Sequence, residues 1–177
     1  MPDTPSVRVW DVVVRVTHWS VAAIVFWDLI EDSGGRLHRV LGYVAAGLVL
    51  LRILWGFVGS EHARFRAWVP RPAGVLAYSR ALMQRRAPRF LSHTPLGAVM
   101  MLLMWALILG LAVTGWMSRL DALWGEDWPI DIHAALADVL TALVVLHVLA
   151  AIVFSVAGKE NLVLAMLTGR KRQNPDA

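Results

Sequence analysis

The sequence predicts an all-α integral membrane protein, a four-helix bundle with N- and C-termini cytoplasmic. Three observations predict it. The 177 residues are 58% apolar and only 17% charged, where an average soluble domain is about 45–50% apolar and about 25% charged. The apolar residues gather in four long runs. The connections between those runs alternate in sign of charge. A disordered chain would instead combine low hydrophobicity with high charge.

The elements follow in order. The expected spans are approximately 12–30, 37–58, 95–117 and 132–157, each close to the roughly 20 residues a helix needs to cross the hydrocarbon core. The first carries Arg15 near its start and Asp28 near its end, and is the least apolar. Its Trp27 is followed by Asp-Leu-Ile-Glu-Asp rather than a small-residue cleavage site, so it reads as an uncleaved anchor and not a signal peptide. The second is interrupted by Arg52, the third is free of charge, and the fourth holds Asp138. Between the second and third runs lies a basic loop, 59–94. Within it Pro70-Arg71-Pro72 is a break, and 73–86 reads either as a plain basic loop or as a short amphipathic helix lying on anionic lipid, with Val75, Leu76, Leu82 and Met83 on one side. The stretch 161–167 invites the same two readings. With no repeat or internal linker, 1–177 reads as a single domain.

Loop charge sets the orientation. Seven arginines stand in 60–94 against one acid, Glu61, and Lys159, Arg170, Lys171 and Arg172 crowd the tail. The other two connections hold Glu31, Asp32, Asp121, Glu126, Asp127 and Asp131. Positive-inside bias therefore puts both termini and the long loop in the cytoplasm. It also accounts for the isoelectric point near 10.3 without nucleic acid as a partner.

The chain has no cysteine, which excludes a disulfide scaffold, a cysteine zinc site, an iron–sulfur centre and thioether-attached haem. It has six histidines, and a ligating group inside a span is a functional hypothesis by default. His133 and His147 are 14 residues apart, nearly four whole turns, so they share a face but lie about 21 Å apart along the axis. They cannot hold one ion together. His18 opens the outward-running first span and His38 the inward-running second. By depth the four sort into His18 with His147 near the cytoplasm and His38 with His133 near the periplasm. Two imidazoles from different helices at each of two depths is what bis-histidine haem ligation requires. Arg15, one turn before His18, and Arg52, 14 residues after His38, are costly in lipid without an anion, and haem propionates are a natural partner. Gly42, Gly47, Gly110 and Gly115 would let a flat ring or another helix come close.

Other readings of the same residues stand beside this one. A membrane histidine often serves only as a hydrogen-bond donor between helices, and a metal transporter would place carboxylates such as Asp131 and Asp138 beside His133. Met100, Met101 and Met104 read as core, and Trp10, Trp19, Trp27, Trp55, Trp116, Trp124 and Trp128 as interfacial anchors.

These residues resemble the bacterial cytochrome b561 and nickel-hydrogenase b-type cytochrome family. The matching stretches are Val9-Trp10-Asp11 through Arg15 to His18-Trp19; Leu37-His38 with Gly42, and Arg52 through Trp55-Gly56; His133 through His147-Val148; and Lys159-Glu160-Asn161-Leu162 through Gly169-Arg170-Lys171-Arg172. The resemblance implies a dihaem membrane cytochrome b passing electrons between the quinone pool and a partner. It implies two non-covalent b haems, whose ligands, carried over by position, are His18, His38, His133 and His147. A related branch oxidises superoxide and reduces ubiquinone, and would favour a basic periplasmic funnel. The acidic periplasmic loops here suit a basic protein such as a cytochrome c. A membrane anchor and relay subunit of a dehydrogenase or hydrogenase is the third reading. A quinone site is expected beside the cytoplasmic haem, with His93, Lys159 and Asn161 as candidates.

Overall fold

Each apolar run folds as one long helix, and the ends are set by side chains the sequence supplies. The computed structural model describes residues 6–31, 33–158 and 160–172; Asp32 and Lys159 lie outside them. Strand β1 (Ser6–Arg8) leads into helix α1 (Val12–Ile30), which starts where the Asp11 carboxylate accepts the Val14 N–H at 2.9 Å, an N-cap. Helix α2 (Arg36–Val58) ends at Gly59. A short 3-10 turn (Glu61–Ala63) and the one-turn α3 (Phe65–Trp68) precede α4 (Pro72–Met83). Helix α5 (Pro95–Met117) opens on Thr94, whose hydroxyl accepts the Gly97 N–H at 3.1 Å, with proline at the first turn, where its missing donor costs nothing. Helix α6 (Trp128–Ala157) follows a 3-10 turn at Asp121–Leu123. Helix α7 (Leu162–Thr168) and strand β2 (Arg170–Arg172) close the described chain.

Among the described residues, α1, α2, α5 and α6 are each long and apolar enough to cross a membrane. The first and third match the expected spans. The second begins one residue earlier than expected. The fourth begins at Trp128 rather than 132, because Pro129 initiates it outside the apolar run. Their outer faces expose residues such as Phe26, Leu54 and Val153, a surface suited to lipid. The helices pack in a chain, α1 on α2, α2 on α5 and α5 on α6. Helix α6 makes at most sparse backbone approach to α1 and α2. The central core joins Ala45, Val49, Ile108 and Leu140, with Met104 against it.

The end of the bundle that carries β1 and β2 has a core of its own. Strands β1 and β2 pair antiparallel, Val7 opposite Lys171 and Arg8 opposite Arg170. Below them Val9, Trp10, Val14 and Ala63 are buried, with Trp55, Leu91 and Met166 packed around. Neither ribbon nor core is an expectation of the sequence. Trp10, expected as an interfacial anchor, is only 5% exposed because this ribbon folds over it. The basic loop does contain a helix, α4, which stops at Met83 because Gln84 and Arg85 leave helical geometry, Arg85 with φ of 57°. Tyr78 is its buried contact, while Leu76 and Met83 point outward.

Candidate functional site

The four intramembrane histidines meet as two pairs, at opposite ends of the bundle. His18 on α1 faces His147 on α6 with ring centroids 6.4 Å apart. His38 on α2 faces His133 on α6 at 6.2 Å. Both pairs therefore span the seams where α6 stands away from α1 and α2, and the pairing by depth expected from helical spacing is the pairing found.

The second pair is oriented by neighbours. The Thr114 hydroxyl on α5 donates to the Gly110 carbonyl at 2.9 Å, so at 3.0 Å from His133 Nδ1 it accepts that nitrogen's hydrogen. His38 Nδ1 lies 3.0 Å from the Glu31 carbonyl and donates to it, with an Asp28 carboxylate oxygen 3.6 Å away. Both rings are thus held by Nδ1–H, leaving Nε2 as the nitrogen with a free lone pair, the way metal-ligating histidines are fixed by their outer contacts. An apolar cleft of about 100 Å³ lies beside the pair, with Gly42, Ala45, Ala112, Gly115 and Ala137 among its walls. These side chains are small. At Gly115 a Cβ would already sit 3.4 Å from the His133 ring.

Whether haem fits can be tested on these distances. Two metal–imidazole bonds of about 2.1 Å, plus roughly 1.1 Å from each ring nitrogen to its centre, make about 6.4 Å, and the pairs stand at 6.4 and 6.2 Å. No group of three or more histidine, aspartate or glutamate side chains among the described residues could hold a metal ion. A bare ion wants about four protein ligands; a porphyrin brings its own four nitrogens and asks for two. The donor set and the separation fit a b haem.

The arginines sit at the end that carries β1 and β2. Arg52 is 4% exposed, donates to the Ala63 carbonyl at 3.2 Å and lies 5.4 Å from the Trp105 ring centre. Its Nη1 is buried with no hydrogen bond and no carboxylate pairs with it among the described residues. Arg15 donates to the Leu167 carbonyl at 2.5 Å, while its Nε is buried and unpaired. Both guanidiniums keep a free donor, as a propionate partner requires.

His93, just before α5, is wedged between Trp10 at 4.8 Å and Trp68 at 5.0 Å. An edge of the ring keeps slight exposure, but its Nδ1 is buried without a hydrogen bond. Burial first, then the charges of Arg52, Lys171, His18 and His147, push its pKa down to about 3. Lys171 lies over the Trp10 ring at 5.8 Å and is held below the ordinary lysine value by burial, partly countered by Glu160. Of the three quinone candidates, Asn161 caps α7 through the Leu164 N–H at 2.8 Å, and Lys159 falls outside the described residues. Thr114 and Asp28 were not among the residues the sequence singled out for the site. A signal for Thr114 existed: it is the one hydroxyl side chain in the charge-free third run.

The family model for prokaryotic cytochrome b561 matches residues 9–169. Similar curated proteins include a probable Ni/Fe-hydrogenase B-type cytochrome subunit of Bradyrhizobium diazoefficiens, 25% identical over 95% of this chain and 87% of that protein. Another, from Rhizobium leguminosarum bv. viciae, carries the same description and is 23% identical over 94% of this chain and 89% of that protein. No solved structure matches the chain.

Proposed function

The chain belongs to the prokaryotic cytochrome b561 family, a multi-pass membrane b-type cytochrome with an electron-transfer role, and on that premise we propose that it binds two b haems. One is held by His18 and His147, the other by His38 and His133, and electrons pass across the inner membrane between the quinone pool and a redox partner. The reading is carried by one observation: two facing imidazole pairs at 6.4 and 6.2 Å, separated by about four helical turns of α6, or about 21 Å. When bound, haem supplies reversible one-electron chemistry at its iron. The protein supplies the rest. The four histidines set ligation. Thr114 and the Glu31 carbonyl orient two of the rings. Arg15 and Arg52 offer donors to propionates at the end where β1 and β2 pair. The apolar cleft walls keep water away.

The loop charges support an orientation with that end, His18 and His147 in the cytoplasm. Quinone is then expected beside this pair, where His93 is the candidate that remains in position. The partner docks at the opposite end, where Asp121, Glu126, Asp127 and Asp131 are exposed and would steer a basic surface such as that of a cytochrome c. The two rhizobial relatives, described as probable Ni/Fe-hydrogenase B-type cytochrome subunits, favour a second partner, a hydrogenase or dehydrogenase subunit that this chain anchors and serves as relay. Superoxide oxidation would be served by a basic entrance, and this end is acidic.

The test is a reduced-minus-oxidised spectrum with haem counted per chain. Two haems and a b-type α-band are expected, and His133→Ala should retain one haem. A chain without a b-type band overturns the reading, as does a variant that loses both haems or neither. Stopped-flow oxidation by quinone against reduction by superoxide separates relay from oxidase.

A further inference from the structure

The two histidine pairs differ sharply in what surrounds them. At His38 and His133, both rings give their Nδ1–H to an acceptor, the Glu31 carbonyl and the Thr114 hydroxyl, each at 3.0 Å. Donating that hydrogen pushes electron density onto the ring and makes the other nitrogen a stronger donor to metal. The Asp28 carboxylate stands 3.6 Å from His38 Nδ1, and its Oδ1 is buried without a hydrogen bond, so its charge is poorly neutralised. At His18 and His147 the signs reverse. His18 Nδ1 is buried with no acceptor among the described residues. Arg15 lies one turn from His18. The Arg52 guanidinium, buried with Nη1 unpaired, stands at this same end against the Ala63 carbonyl at 3.2 Å. At the first pair Asp28 and the two acceptors favour added positive charge, against Arg39 on the same cleft wall, which is exposed and bound to the Gly34 carbonyl at 2.9 Å; at the second pair Arg15 and Arg52 resist it.

Haem iron carries one more positive charge when oxidised than when reduced, and its potential follows ligand basicity, hydrogen bonding and nearby charge. We infer that Thr114 and Asp28 are positioning and charge-setting residues that make the His38/His133 centre the lower-potential haem, while Arg52 raises the His18/His147 centre, so that the downhill step runs from the first pair to the second. The inference rests on the ligand assignment proposed above and adds to it an order of potentials and three named residues that set it. None of the three touches iron; each acts through a ligand or through space.

A redox titration of the purified two-haem protein, read at the α-band, tests this. Two components are expected, and the one missing from His133→Ala should be the lower. Asp28→Asn and Thr114→Val should shift that component upward and leave the other in place, while Thr114→Ser restores the original value. Arg52→Gln should lower the upper component, and Arg52→Lys should not. If Arg52→Gln does not accumulate, the Asp28 and Thr114 variants decide alone. The inference is overturned if His133→Ala removes the upper component, or if both haems are bound and neither Asp28→Asn nor Thr114→Val moves the lower one. Failure of the ligand assignment looks different: His133→Ala would then lose both haems or none.

Discussion

The ring of His93 meets the indole of Trp10 edge-on, at 4.8 Å between centroids and 60° between planes. The contact joins the start of α5 to the chain just ahead of α1. It holds a titratable ring in an apolar slot beside the cations Arg52 and Lys171, which is why the neutral form persists to about pH 3.

Acidification should therefore loosen this end of the bundle first. In the unfolded chain His93 takes up a proton near its ordinary value of 6.5, whereas in the folded chain it waits until about 3. A histidine lowered in this way leaves stability intact above 6.5 and drains it as pH falls through the interval. Each unit is worth about 1.4 kcal/mol, so about 3 kcal/mol is lost by about pH 4.5. The carboxylates of Asp11 and Glu160, also held below their ordinary values, contribute only at lower pH. Thermal unfolding in detergent as a function of pH should show this loss, and His93→Gln should flatten it between 6.5 and 4.5. An unchanged profile in the variant would refute it.

Asp11 ties three segments together. Besides capping α1, it accepts from Trp55 Nε1 at 2.9 Å and from the Ser60 hydroxyl at 2.5 Å. Burial raises its pKa, and these bonds with the nearby Arg52 outweigh that and lower it. Asp11→Ala removes a cap and leaves a half-buried indole donor unsatisfied, so a loss of about 2–3 kcal/mol is expected. Asp11→Asn, which keeps an acceptor, should lose less than half of that by the same melting assay.

Gly169 ends α7 with φ of +78° and lies under the Trp10 carbonyl, where an added Cβ would come within 2.4 Å of the oxygen. Its own carbonyl accepts the Val9 and Trp10 N–H groups at 2.9 and 3.1 Å. Gly169→Ala combines left-handed strain with a backbone clash and should cost about 2–3 kcal/mol. Hydrogen exchange should then rise in β1 and β2 while the α2–α5 core stays protected.

Arg89 pairs with Glu160 at 2.9 Å, and Arg89 also donates to the Arg172 carbonyl at 3.0 Å. The Arg89 side chain is about one-third exposed, so screening limits the pair. Arg89→Ala should change the melting free energy by no more than about 1 kcal/mol. A larger loss would mean that the terminal ribbon depends on this contact more than its exposure allows.

The spans and the depth of each histidine were legible because both depend on local rules. A run of apolar residues fixes where a helix crosses, and a rise of about 1.5 Å per residue fixes how deep each side chain lies. Thr114 was harder to read. It sits on the one span without a histidine, so its meaning appears only when α5 is laid against α6. Asp28 is visible in the sequence as a charge near the end of the first span, but only the packing of α1 against α2 brings it within 3.6 Å of His38 Nδ1.

The sequence by itself determined four membrane-length helices, their alternation of loop charge and the two depths at which imidazoles occur, since hydropathy and helical periodicity act over one element at a time. Only the tertiary structure decided that Thr114 and the Glu31 carbonyl orient His133 and His38, that Trp10 and Trp68 enclose His93, and that β1 and β2 pair over Trp10. Those contacts join residues far apart in the chain, and they depend on where packing lets separate elements meet.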